Sequence, residues 1–235
     1  MTNYDLNTDK PLVFISIPKT GSTSISQTLK ELDPKGMKSD QENVLTHRTA
    51  KSLRKFYNES LGGWDSYYKF AFVRNPFDVL VSIYFFEKYS LEKPLMKKYL
   101  KETKEEDIDR KLKMIIERHE SSTSFDDHIK KWYRTMAYPN QSPFQWGQCQ
   151  FIMDYDKMPL KNVSDDMLIV DYVGRFENLQ NDFDYCCEQV GLPTKKLSHK
   201  KQTEHDNYRE YYTEESKNIV RKSLHHELEY FGYDF

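Results

Sequence analysis

The sequence predicts an α/β fold, a single domain over residues 1–235 with a central, mostly parallel sheet flanked by helices. Three observations carry that expectation. Short apolar, β-rich runs at 12–17 and 67–73 each empty into a turn and restart at helical spacing. A third apolar run, 167–173, is followed by a turn and another helical stretch. The chain of 235 residues is long enough to bury a sheet with helices on both faces.

The elements justify themselves in order. Leu12 to Ile17 is bounded by Pro18, as suits a strand buried on both faces. From Ser24 to Leu32, the apolar Ile25, Leu29 and Leu32 mark one helix face, and Pro34 with Gly36 ends it. Tyr67 to Val73 is an aromatic and β-branched strand, and Arg74, Asn75 and Pro76 turn it into a helix from about Phe77 to Tyr89. Pro76 suits the first helical position, Asn75 a cap, and Asp78 the positive end of the helix dipole. Val79, Leu80 and Ile83 read as core. The stretch 92–120, dense in charge of both signs, reads as a solvated helical excursion. Met167 to Val173 is the third expected strand, followed by Gly174, Arg175, Phe176 and a helix through Cys187. The C-terminal 208–235 again has helical spacing.

Charge excludes as much as it suggests. The formal net charge is −2, so no global field favours nucleic acid, and anion binding must be local. No apolar run reaches the roughly 18 residues of a spanning helix, and Met1 to Lys10 lacks a signal-peptide pattern, so a cytoplasmic protein is expected. Cys149, Cys186 and Cys187 lack metal-ligand spacing and read as reduced, buried thiols; no metal site is expected.

The turn Pro18-Lys19-Thr20-Gly21-Ser22-Thr23 is a candidate anion cradle. Backbone N–H groups of about Thr20 to Ser24 open a helix, and Lys19 adds a positive charge. In an ATP-type loop the lysine follows the second glycine, whereas here Lys19 precedes Gly21. Arg74 leaves the second strand, and Ser82, eight residues on, lies two helical turns further, so both suit a second anion. Two cradles on two strand-turn-helix units suit a ligand with phosphate at both ends.

On these residues the chain resembles sulfotransferases that use 3′-phosphoadenosine 5′-phosphosulfate (PAPS). The family's phosphosulfate loop is similar to Pro18 through Thr23, and its 3′-phosphate motif to Arg74, Asn75, Pro76 and Ser82. A broader likeness to the carbohydrate-type sulfotransferase 2 branch runs through 47–50, 172–179 and 211–216. The resemblance implies sulfuryl transfer from PAPS, without a metal, to a hydroxyl acceptor that is a saccharide or glycolipid. It also implies that Lys19 stabilises the leaving phosphate, that Thr20, Gly21, Ser22, Thr23 and Ser24 hold the phosphosulfate, and that Arg74 and Ser82 hold the 3′-phosphate. Cytosolic small-molecule sulfotransferases usually carry tryptophan where Ser24 stands, so another aromatic must wall the adenine, and Phe176 is the candidate. Their third 3′-phosphate anchor has only Lys200, Lys201 and Arg209 as counterparts here.

Relatives place a histidine or glutamate base between the two motifs, and His47 is the one histidine there, with Glu42 and Glu59 as alternatives. A helix capped by Thr46 or a neighbour would put His47 in its first turn, where the dipole favours the neutral ring a base requires. Arg175 follows the third strand and suits either a ligand contact or an ion pair. An ATP-dependent small-molecule kinase and a non-catalytic nucleotide-binding sensor are the competing readings.

Overall fold

The computed structural model describes residues 3–4, 11–32, 47–60, 63–104, 108–132, 147–154, 164–198 and 205–235. Glu42, Thr46, Lys200 and Lys201 lie outside the described residues. The chain divides into two compact units, one of residues 1–74 and 147–202, the other of 75–146 and 203–235.

The first unit holds a sheet ordered β1-β2-β3-β4. Strands β2 (Leu12–Ile15), β3 (Tyr68–Val73) and β4 (Tyr172–Arg175) are parallel, and β1 (Asn3–Tyr4) pairs antiparallel with β2. Every residue of β2 and β3 is buried, as their unbroken apolar character implies. Phe14 lies opposite Phe70 in register, and Phe70 opposite Tyr172. With a period of two, Leu12, Phe14, Tyr68, Phe70 and Phe72 share one core. The Phe14 and Phe70 rings stack at 5.2 Å, and Phe72 meets Phe70 edge-on at 6.1 Å. Helix α1 (Ser22–Leu32) closes this core with Ile25 and Leu29. Short helix α2 (Ala50–Ser60) belongs to the same unit.

The third strand does not form where the apolar run predicts. Met167 ends a tight turn, Leu168 bridges Met153, and the strand runs from Tyr172 to Arg175. Asp171 explains the shift, because its carboxylate accepts the Lys69 N–H at 2.6 Å while its own N–H donates to the Lys69 carbonyl at 2.7 Å. Those bonds start the pairing with β3 at that point. Gly174, expected in a turn, is inside the strand, where a Cβ would lie 2.6 Å from the Phe72 ring.

In the second unit α3 (Pro76–Glu92) starts at Pro76, and the Asn75 side chain accepts the Phe77 N–H at 3.0 Å. The excursion forms α4 (Pro94–Glu102) and α5 (Arg110–Glu120), followed by α6 (Phe125–Trp132). Returning to the first unit, α7 (Cys149–Ile152) and α8 (Leu179–Glu188) flank β4 in sequence, and α8 adds Phe183, Cys186 and Cys187 to the first core. The tail supplies α9 (Glu214–Ser223) and α10 (His225–Phe231) to the second unit. Its core joins Phe77, Leu80, Val81 and Tyr84 of α3 to Phe125, Ile129, Tyr212, Val220 and Leu228. All three cysteines are buried free thiols, and burial pushes Cys187 up to about 12. No helix among the described residues is long and apolar enough to cross a membrane.

Candidate active site

Three carboxyl ends of parallel strands lie side by side in the first unit, and the turns that leave them carry the candidate residues. The first turn departs β2 through Ser16 and Ile17. Lys19 adopts φ 64° and Gly21 φ 82°, so two residues within three positions are left-handed. For lysine that conformation is strained by about 1–2 kcal/mol. Such a backbone turns successive N–H groups toward a common concavity. The Thr20 hydroxyl is fully buried and donates to the Ile17 carbonyl at 3.0 Å, which braces the bend from beneath. The Ser24 N–H donates to the Gly21 carbonyl at 3.0 Å, so it serves the first turn of α1. Both groups were expected at the anion; the geometry gives each a task in shaping the turn.

Gly21 is required twice. Its φ is positive, and a Cβ there would lie 2.9 Å from a Leu179 methyl and 3.4 Å from the Phe176 ring. The turn after β4 therefore presses directly on the turn after β2.

Arg74 completes the cluster. Its backbone is clamped by Gln148, which accepts the Arg74 N–H at 2.8 Å and donates from Nε2 to the Arg74 carbonyl at 2.8 Å. Its Nη1 donates to the Lys19 carbonyl at 3.1 Å, and its guanidinium lies 4.1 Å from the centre of the Phe176 ring. That stacking holds the planar cation in a fixed orientation. Phe176, expected against adenine, thus gives one face to Arg74.

His47 sits beside the same turn, placed differently from the expectation. Helix α2 begins at Ala50, and Thr49 caps it by accepting the Ser52 N–H at 3.2 Å, so His47 lies ahead of the helix and not in its first turn. A backbone carbonyl fixes it instead. His47 Nδ1 is 2.8 Å from the Ser16 oxygen, which can only accept, so Nδ1 carries the proton and the neutral ring has its accepting lone pair on Nε2. The alternative Glu59 is exposed near the end of α2.

Arg175 is the last residue of β4, with an exposed side chain, and its N–H donates to Asp182 at 2.6 Å. The first unit thus gathers Lys19 to Ser24, His47, Arg74 and Arg175. Ser82 belongs to the second unit, buried on α3. Arg209 is there too, its guanidinium 4.7 Å from the Tyr208 ring and 5.7 Å from Phe235.

A cavity of about 440 Å³ opens in the first unit beside Ser24, lined by Leu179, Gln180, Asp184 and 194–198. Gln180 organises its wall, donating to Asp184 at 2.9 Å and to the Lys195 carbonyl at 3.2 Å while accepting the Leu197 N–H at 2.8 Å. Neither this cavity nor the Gln148 clamp was foreseen in the sequence, since both depend on partners distant along the chain. Among the described residues no group of three or more His, Cys, Asp or Glu is placed to hold a metal ion.

A parallel sheet whose first two turns converge through an arginine and a strained lysine is an α/β arrangement with two cationic residues at the carboxyl ends of its strands. Residues 2–234, essentially the whole chain, match the sulfotransferase family, and the chain belongs to it. It is therefore a transferase that moves a sulfuryl group. No curated protein and no solved structure matches the chain.

Proposed function

We propose that this sulfotransferase takes its sulfuryl group from PAPS and passes it to a hydroxyl of a saccharide or glycolipid, with His47 as the base. The observation that carries the reading is the 3.1 Å bond from Arg74 to the Lys19 carbonyl. It holds Arg74 beside the lysine turn, which supports the reading that one anionic ligand reaches both.

The donor brings a sulfuryl group carried on a phosphate leaving group. His47 accepts the acceptor's proton on Nε2 while the acceptor oxygen bonds to sulfur, and the sulfur–oxygen bond to phosphate breaks. Lys19 meets the charge that collects on that phosphate, and the N–H groups around Gly21, with Ser22 and Thr23, hold it. Arg74, oriented by Phe176 and Gln148, takes the 3′-phosphate, and Arg175 is a further cofactor contact. The purine lodges in the cavity beside Ser24, whose 440 Å³ falls within the range of about 300–1,000 Å³ usual for small-molecule sites. Its mixed donors and acceptors over Leu179 and Leu197 suit a heteroaromatic ring.

Calorimetry with adenosine 3′,5′-bisphosphate, AMP and ATP tests the assignment. Arg74→Ala is expected to weaken the bisphosphate by about 2 kcal/mol or more and AMP little, as for loss of one charge-assisted contact. Equal losses for both ligands would remove Arg74 from the 3′-phosphate. Magnesium-dependent ATP consumption would replace the reading with a kinase. His47→Gln is expected to keep bisphosphate affinity and lose about 100-fold or more in transfer rate.

A further inference from the structure

The second unit carries a surface that the transfer chemistry does not use. Among the described residues five large hydrophobic side chains are exposed, and four of them fall between residues 86 and 99: Phe86 at 42 %, Tyr89 at 39 %, Leu95 at 83 % and Tyr99 at 43 %. Monomeric surfaces scatter such residues singly, so this concentration calls for a physical reason.

Helix α4 shows the arrangement most clearly. None of its nine residues is buried. At 100° per residue, Leu95 and Tyr99 share its open side, while Met96 and Leu100 lie on the half-buried side. Lys97 and Lys101 occupy the opposite arc, and Glu102 borders the open apolar strip with Lys98 beside it, 4.0 Å away. The stretch 88–104 carries six lysines, all exposed, against two glutamates, Glu92 and Glu102. The excess is confined to 88–104, since Glu105, Glu106, Asp107 and Asp109 follow it directly in the sequence.

We infer that the end of α3 and helix α4 dock the protein on an anionic lipid surface. A short helix with exposed Leu and Tyr on one side and lysines around it matches an interfacial amphipathic segment, its apolar side chains entering the headgroup boundary and its lysines meeting lipid phosphates. The alternatives each leave half of the patch unused. A dissolved polyanion would engage the lysines and leave Leu95 in water. A protein partner would cover the apolar residues, yet lysine is depleted from such interface cores.

Vesicle flotation of the full chain tests the inference, with phosphatidylcholine alone against phosphatidylcholine containing about one-third phosphatidylserine. Wild type is expected to float with the anionic vesicles only, and less as salt rises. Leu95→Ser with Tyr99→Ser, which leaves the charge unchanged, is expected to weaken that binding about tenfold or more at low salt. Lys97→Glu with Lys101→Glu is expected to weaken it and flatten its salt dependence. As α4 buries none of its residues, both double variants are expected to keep the wild-type unfolding midpoint. Failure of wild type to float with anionic vesicles would overturn the inference, as would unchanged flotation of the Leu95/Tyr99 variant. Capture by soluble dextran sulfate that is equal in wild type and that variant, without flotation, would assign the patch to polyanions and also overturn it.

Discussion

At the scale of single residues, two glycines and one lysine carry most of the geometry. Gly21 and Lys19 hold left-handed backbone in the turn, and Gly174 admits the Phe72 ring against β4. The last case is the cleaner test, because nothing at Gly174 touches the proposed chemistry. Gly174→Ala sets a methyl 2.6 Å from a ring buried in the core, and the strand backbone on either side is paired to β3. The variant is expected to lose about 1–3 kcal/mol in urea unfolding, the usual cost of overpacking. A change within about 0.5 kcal/mol would mean that the ring yields easily. Local sequence shows a glycine at each place without showing what approaches it. The positive φ at Lys19 was equally hidden, since lysine seldom adopts it.

Among elements, what could be read in advance was what depends on local pattern. Strands β2 and β3, the Asn75 cap, Pro76 at the start of α3 and the core positions Val79, Leu80 and Ile83 all follow from spacing and residue type. The third strand was misplaced because Asp171, a residue poor in strand propensity, starts the ladder through its side chain. The cap of α2 fell at Thr49 because a threonine three residues ahead of an N–H suffices, and the sequence offers two such threonines. The Gln148 clamp on Arg74 spans 74 residues and leaves no local trace. The junction of α6 with α9 is a comparable long-range device. Asp126 accepts the Thr213 hydroxyl at 2.7 Å and its N–H at 3.2 Å, and Lys130 lies 2.7 Å away. Partial burial works against the carboxylate, yet the hydrogen bonds from Lys130, Ser216 and Thr213 prevail and bring its pKa down to about 2. A depressed carboxylate stabilises the fold above its unfolded value near 4 and loses that contribution as pH falls toward 2. Asp126→Asn is therefore expected to cost about 1–2 kcal/mol at pH 7 in urea unfolding, a gap that narrows toward zero on acidification to about pH 2. A gap independent of pH would show that the amide loses packing and not charge.

For the molecule as a whole, a buried ionic cluster in the second unit adds a second source of acid sensitivity. Glu87 accepts from Arg118 at 3.1 Å, with both side chains 4 % exposed, and His119 Nε2 lies 3.3 Å from the same carboxylate. His128 lies beside this group, its ring 5.3 Å from that of His119 and 5.1 Å from Tyr84. Burial first, then the neighbouring His119 and Arg118, holds its pKa down to about 3. The unfolded chain binds that proton near pH 6.5 and the folded chain does not, so folding is opposed progressively as pH drops from about 6.5 toward 3. Thermal unfolding is expected to show a midpoint that falls across this interval, and His128→Phe to flatten the fall. A wild-type midpoint level from pH 7 to about 4 would contradict the buried neutral ring.

Gln148 is an amide whose two ends do opposite things, one accepting and one donating to the same residue. Deamidation would leave its outline unchanged while turning the donor into a second acceptor facing a carbonyl. A stored preparation could then lose its grip on the arginine through chemical ageing at one atom, with the rest of the polypeptide intact.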